Sequence, residues 1–214
     1  MKTSVWAAAA AVAVCVATVS QAVTAEPSQK ELTEAVKAFL VDHGDLCMAK
    51  YTWPRDVIPG YEDGDKNDEV QLPVLEHLGV VKSVEVAPPP DASGDAKPYR
   101  RYSLTEKGKR YYVQKKRTTL GLHGTVLEHE ADFCVAHLTL DKVFKWSRPE
   151  PVHDKLETVV KYTYHIKAAD WMSDPDAKKV FPVVDKIVRG DGSMLMTATV
   201  VLENGKWVPV LPGQ

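Results

Sequence analysis

The amino-acid sequence predicts an α+β fold, with a helical N-terminal half and a C-terminal half formed by an antiparallel sheet with a packed helix. Two observations carry this prediction. Apolar residues from Leu32 to Leu40 recur at the spacing of one helical face, and Gly44 ends the pattern. Residues 159–167 alternate between apolar and polar side chains, which is typical of a strand with one face in water.

The first 25 residues have the pattern of a cleaved secretory signal peptide. Lys2 gives a positive start, residues 7–19 are apolar except for Thr18, and two small-residue stretches end at Ala22 and Ala25. The apolar run is shorter than the ~20 residues of a membrane helix. We expect cleavage after Ala25, with cleavage after Ala22 as the alternative, and a periplasmic location in a bacterium.

Composition and charge are those of an ordinary globular protein. Of the 214 residues, 44% are hydrophobic and 26% are charged, and the formal net charge is −2. This charge gives no general attraction to nucleic acid or to an anionic membrane. Without residues 1–25 the chain is long enough for one large domain or two small ones, and we divide it into segments at 26–117 and 118–214.

One cysteine phrase occurs twice in the chain. The pattern Asp-x-Cys-x-Ala surrounds both Cys47 and Cys134. Cys15 leaves with the signal peptide, and the two cysteines that remain in an oxidising compartment usually pair. We therefore predict a Cys47–Cys134 disulfide between two equivalent strand starts. The alternatives are chance similarity of the phrases and a reactive thiol beside His43 or His137.

The N-terminal elements begin with a capped helix. Ser28 and Glu31 form a capping box, in which each side chain satisfies a free backbone N–H of the first turn. A short strand is predicted from Cys47 to Trp53. Residues 54–69 form an acidic loop, which we interpret as a solvated surface. A calcium loop is the alternative, although the spacing of an EF-hand is absent.

The segment from about 70 to 113 has a recognisable order of elements. The stretch "LPVLEHLGVVKSVEV" predicts a helix, a glycine stop and a strand, and "YRRYSLTEKGKRYYV" predicts a strand and then a helix begun by Thr105. The segment resembles the second half of the winged-helix domain of bacterial repressors. This resemblance implies a winged-helix-like N-terminal half with a reading helix near 66–78. The matching residues are Leu75, Glu76, Gly79, Val80, Val81, Tyr102, Leu104, Thr105, Glu106 and Gly108.

Charge argues against DNA reading by that helix. The stretch contains Asp68, Glu69 and Glu76 against the single cation Lys66, and Pro73 interrupts it. Duplex DNA carries one negative charge per ~1.7 Å and would repel such a helix. We therefore expect no sequence-specific binding of nucleic acid.

A basic run covers the wing side of the same segment. We interpret the run as a solvated surface, and a patch for an anionic partner is the alternative interpretation. Its members are Lys97, Arg100, Arg101, Lys107, Lys109, Arg110, Lys115, Lys116 and Arg117.

The C-terminal segment is predicted to consist mainly of strands. Residues 133–146 and 193–202 favour extended structure, and Asn204-Gly205 favours a two-residue hairpin turn. Asp174-Pro175 predicts a helix start, and Pro182 is expected to kink or split that helix. The tryptophans and tyrosines of the C-terminal segment are expected to lie in the core and in the sheet. The phrases "DFC", "LTLDKVFKW" and "YTYHIKAADW" resemble uncharacterised exported bacterial proteins, which implies no activity.

The chain lacks the short motifs of common enzyme classes. No phosphate-binding glycine loop, serine elbow, paired CxxC or HExxH is present. One stretch carries side chains that zinc would accept, and we interpret them as ordinary surface residues. They are His123, His129, Glu130, Asp132, Cys134 and His137, of which Cys134 is already assigned to the predicted disulfide.

The sequence therefore predicts an exported, non-enzymatic binding or accessory protein without cofactor or metal. The expected partner is a protein of the cell envelope, and the role would be that of an inhibitor, an immunity protein or an envelope factor. The alternative is a small exported hydrolase or metal-dependent enzyme that uses the His123–His137 segment. In that case His129, Asp132 and His137 should converge on one pocket.

Overall fold

A computed structural model describes residues 26–58, 66–87, 98–120 and 126–210. Strands make up 43% of the structure, and helices are few and mostly short. The prediction of a helical N-terminal half is therefore wrong. The dominant feature is a curled antiparallel sheet to which both ends of the described chain contribute.

Helices are interspersed among more numerous strands along the described part of the chain. The helices are α1 (Gln29–His43), α2 (Lys66–His77), α3 (Glu106–Lys109), α4 (Pro175–Val180) and α5 (Pro182–Arg189), with a 3-10 turn at Asp170–Ser173. The strands are β1 (Asp45–Cys47), β2 (Arg55–Val57), β3 (Val81–Val86), β4 (Tyr99–Leu104), β5 (Tyr112–Val113), β6 (Arg117–Leu120), β7 (Val126–His129), β8 (Asp132–Trp146), β9 (Glu150–Val152), β10 (Lys155–Ala168), β11 (Met196–Glu203) and β12 (Lys206–Val210).

The described residues form three sheets, and one of them is much larger than the others. The main sheet has the order β1-β8-β10-β11-β12, with β5 beside β8 and β9 beside β10. Its centre is the long antiparallel ladder between β8 and β10. A second sheet has the order β2-β4-β3, and β6 pairs with β7 in a separate hairpin.

Helix α1 belongs to the main sheet and not to a helical half. The predicted capping box is present, because Ser28 Oγ accepts from the Glu31 N–H and the Glu31 carboxylate accepts from the Ser28 N–H. The apolar stripe of α1 then packs on the sheet face that carries Val160, Tyr164 and Trp207. A helical half fails physically, because most apolar partners of this stripe lie in β8, β10, β11 and β12, in the second half of the chain.

A second core lies around α2 and the β2-β4-β3 sheet. Leu72 and Leu75 of α2 share it with Phe133 of β8 and with Trp171 and Phe181 of the C-terminal helical layer. Both cores thus combine residues from before and after position 117. The division into 26–117 and 118–214 stays a prediction about domains, whereas its description as helices followed by a sheet is corrected.

The helix predicted from Thr105 stops after one turn. Thr105 does cap it by accepting from the Gly108 N–H, but α3 ends at Lys109. A Cβ on Gly108 would stand 2.1 Å from the Val80 carbonyl oxygen, so the close approach needs glycine. Residues 112 and 113 then pair with β8 as β5, because the strand ladder satisfies their backbone groups.

The C-terminal predictions hold at the level of single elements. Asp174 accepts from two backbone N–H groups at the start of α4, and Pro182 begins α5, so the helix is split. Asn204 and Gly205 have φ angles of 50° and 74° and form the turn between β11 and β12. None of the helices in the described ranges combines the length and the apolar character that membrane crossing requires.

Candidate functional site

Cys47 and Cys134 form the predicted disulfide. The two residues stand directly opposite each other in β1 and β8, with 3.8 Å between their Cα atoms. Each strand begins at the aspartate of the doubled phrase, β1 at Asp45 and β8 at Asp132, so the predicted pair of equivalent strand starts is present. The strands differ in length, because β1 ends at Cys47 whereas β8 continues to Trp146. The doubled phrase therefore marks the joint between β1 and β8.

The two aspartates of the doubled phrase make different contacts. Asp45 lies beside His137, with 2.7 Å between Oδ1 and the ring Nδ1. Asp132 is buried, and its Oδ1 accepts from the backbone N–H groups of Lys50 at 2.8 Å and Phe133 at 2.7 Å. The first can orient a histidine, and the second fixes the backbone around the disulfide.

A cleft of about 320 Å³ opens next to the disulfide. The strand register places Asp45, His137 and Lys167 in one row across β1, β8 and β10. The Asp45 carboxylate accepts from Nδ1 and leaves Nε2 of His137 for a ligand or a water. Side chains that line the cleft include those of Asp45, Tyr111, Cys134, His137, Lys167 and Asp170.

The candidate zinc ligands do not come together in the described part of the chain. His123 lies outside the described residues. The His129 ring stacks on Tyr51 with 3.4 Å between centroids, and Asp132 is buried in its backbone contacts. Of the candidates that the structure describes, His137 and the disulfide-bonded Cys134 line the cleft. Within the described ranges no group of three or more His, Cys, Asp or Glu side chains is arranged to hold a metal ion.

The basic run is largely paired with acidic groups. Arg101 forms two hydrogen bonds of 2.7 Å to Asp56, and these hold the pKa of Asp56 below its usual value. Lys97 and the side chain of Arg117 lie outside the described residues. The other pairs are Arg100 with Glu76, Lys109 with Glu106, Lys115 with Asp42 and Lys116 with Glu128, while Lys107 donates to the Leu78 carbonyl and Arg110 is exposed.

One buried ionic cluster was not foreseen from the sequence. The Lys50 side chain is 1% exposed and its ammonium contacts Asp68, whose other oxygen accepts from Arg55 Nε at 2.6 Å. Asp68 is one of the acidic residues of the predicted reading helix. It ties α2 to the segment between the disulfide and β2, which is a structural task.

Besides the cleft, a second candidate surface lies on the β8–β10 ladder. It carries lysines that have no carboxylate partner among the residues that the structure describes. Val160, Tyr162 and Tyr164 face α1, so the odd-numbered residues of β10 lie on the opposite face. On that face Lys161 stands directly opposite Lys145.

Apolar side chains lie among these lysines. Phe144, which a bulge inserts between Val143 and Lys145, is 59% exposed, and Val159 is 42% exposed. Trp146, expected in the core, is 36% exposed at the border. We name this region the lysine surface and define it as Lys142, Phe144, Lys145, Val159 and Lys161.

Comparison with protein-family models, with curated proteins and with solved structures finds no match to this chain.

The cleft and the lysine surface suit different tasks. The cleft holds a histidine oriented by a carboxylate, an arrangement suited to proton transfer, but its cysteine is engaged in the disulfide. The lysine surface is exposed and combines cations with apolar side chains, which suits the docking of a macromolecule.

Proposed function

We propose that this chain is an exported, non-enzymatic binding or accessory protein of the bacterial periplasm, with another protein as its partner. The observation that supports this proposal best is the lysine surface. Two like charges directly opposite each other in a ladder destabilise it, and exposed aromatic side chains lower solubility. Both costs are compensated when a partner covers the surface, because aromatic anchors contribute most of the binding energy at protein interfaces.

The place of action is part of the proposal. A disulfide such as Cys47–Cys134 is typical of an oxidising, exported compartment. The signal-peptide pattern over residues 1–25 supports a periplasmic address for the mature chain. Roles as an inhibitor, an immunity protein or an envelope factor all belong to this class of function.

The test compares two double variants in their native compartment. Phe144→Ser with Val159→Ser removes the apolar part of the lysine surface. Val41→Ser with Val183→Ser removes valines of 65% and 67% exposure on α1 and α5 and serves as the matched control. The tagged proteins are expressed with their N-terminal segment, cross-linked in cells and purified from the periplasm.

We expect one defined partner with the wild type and the control, and its loss with the lysine-surface variant. Equal capture by all three proteins would show that binding occurs elsewhere. Absence of any cross-linked partner, or retention in the cytoplasm, would contradict the proposal itself.

A hydrolase centred on His137 is the second candidate. The specific observation in its favour is the contact between Asp45 and His137 inside the cleft, where an activated water could act as nucleophile. A panel of nitrophenyl esters and phosphates, with and without added zinc, tests it. Turnover that is lost in His137→Asn and kept in His153→Asn would favour the enzyme.

A further inference from the structure

We propose that the partner docks on the lysine surface through an acidic segment and contacts the face of the ladder, without adding a strand to its edge. This inference rests on the proposed function and names the chemistry of its partner. The charge of the lysine surface favours an acidic partner. Lys142, Lys145 and Lys161 have no carboxylate partner in the described part of the chain, whereas most of the basic run is paired. A carboxylate placed between Lys145 and Lys161 would turn their repulsion into two attractions.

One edge of β8 is open beyond Leu138. Leu138 N–H donates to the Gly44 carbonyl at 2.8 Å, and beyond it no described strand pairs with this side of β8. The Tyr164 carbonyl accepts from Gly192 and so points away from β8. Its cross-strand partner Leu140 therefore directs its own backbone groups to the open edge.

Two bulges make this edge a poor template for another strand. The register skips Asp141 and Phe144, so the outward-directed positions are Leu140, Val143 and Trp146, which are three residues apart. A regular added strand needs such positions every two residues. Bulges and edge lysines are the devices by which proteins prevent strand addition. Recognition is therefore left to the side chains of the face.

A protein segment matches the lysine surface better than a membrane or a phosphate polymer does. The surface offers only three lysines, each worth about 1 kcal/mol at an anionic bilayer, on a chain whose net charge is −2. Phe144 and Val159 are interleaved with these lysines. A polypeptide segment that mixes carboxylates with apolar side chains matches both features.

The experiment uses labelled peptides and measures their fluorescence anisotropy with the mature protein. The probes are a short peptide of alternating Glu and Leu, its Lys–Leu counterpart, and a version of the first with a proline inserted after each Glu-Leu pair, which keeps every Glu and Leu but cannot join a ladder. Lys145→Gln with Lys161→Gln is the test variant. Lys30→Gln with Lys37→Gln, two exposed lysines of α1, is the matched control.

The acidic peptide and its proline version should bind equally well to the wild type and the control, and about tenfold more weakly to the test variant. The basic peptide should not bind. Circular dichroism checks that both variants are folded, and a raised Tm of the test variant would independently reveal the relieved repulsion.

Three results would overturn the inference. Loss of binding by the proline peptide alone would show strand addition. Lysine-dependent binding to vesicles of phosphatidylglycerol, without binding to the peptide, would identify a membrane surface. If the cross-linked partner depends on Phe144 and Val159 but not on Lys145 and Lys161, the proposed function stands and its acidic chemistry is wrong.

Discussion

At the scale of single residues, Ala49 has an uncommon backbone. Its φ is 54°, in the left-handed region that costs an L-residue with a side chain about 1 kcal/mol. We predict that Ala49→Gly raises the free energy of unfolding by about 0.5–1 kcal/mol, after the larger unfolded-state entropy of glycine is included. Urea denaturation measures the change. Ala49→Val, which worsens the strain, should lower stability, and a stabilising valine would refute the strain.

The buried ionic cluster leads to a second prediction for single residues. Asp68→Asn would leave the Lys50 ammonium buried without its counter-charge, and we expect a loss of roughly 3–5 kcal/mol. Asp56→Asn breaks the exposed pair with Arg101 and should cost no more than about 1 kcal/mol. The comparison uses the same denaturation assay, and equal losses would mean that Asp68 is not the charge partner on which Lys50 depends.

Elements could be predicted where their signal is local, and their partners could not. The capping box at Ser28 and the alternation in β10 depend on neighbours within a few residues, and both are present. The position of α1 on the main sheet depends on distant strands, so the local sequence pattern could not predict it. The close approach of Gly108 to the Val80 carbonyl oxygen joins two separate elements, and a linear pattern is equally uninformative about it.

The candidate sites divide in the same way. The Cys47–Cys134 bond could be predicted, because two cysteines leave one pairing. Asp45 and His137 are 92 residues apart and could not be matched. The lysine surface could not be recognised, because its residues come from two separate stretches, the extended segment 133–146 and the alternating segment 159–167, which only the strand register brings together.

The joint between β1 and β8 carries a prediction for the element scale. Cys47→Ala and Cys134→Ala break the same bond, so each should lower the free energy of unfolding by about 4–5 kcal/mol if loop closure governs the effect. The double variant should lose little more than either single variant. Additive losses in urea denaturation would mean that each cysteine stabilises the fold independently of the bond.

At the scale of the whole molecule, buried phenols make stability sensitive to alkali. Burial raises the pKa of Tyr162 and Tyr164, and burial together with Asp132 raises that of Tyr112. In the unfolded chain these phenols ionise at about pH 10, which is a lower pH than the one at which they ionise in the folded protein. The free energy of unfolding should therefore be unaffected by them below about pH 10 and fall as pH rises further.

Denaturation at a series of alkaline pH values checks this dependence. The variant Tyr162→Phe removes one of the three phenols and should make the decline less steep. Phenolate absorbance, followed in parallel, should rise together with unfolding. A full rise of absorbance in a protein that stays folded would contradict the assignment.

The loop closed by the disulfide also changes what a single proteolytic cut can do. Cys47 and Cys134 are 87 positions apart, so a cut at any peptide bond between them leaves both products joined through sulfur. An envelope protease could nick the chain there without releasing α1 from β8. After limited proteolysis, such a molecule should run as one band on a denaturing gel and separate into two only when reductant is added.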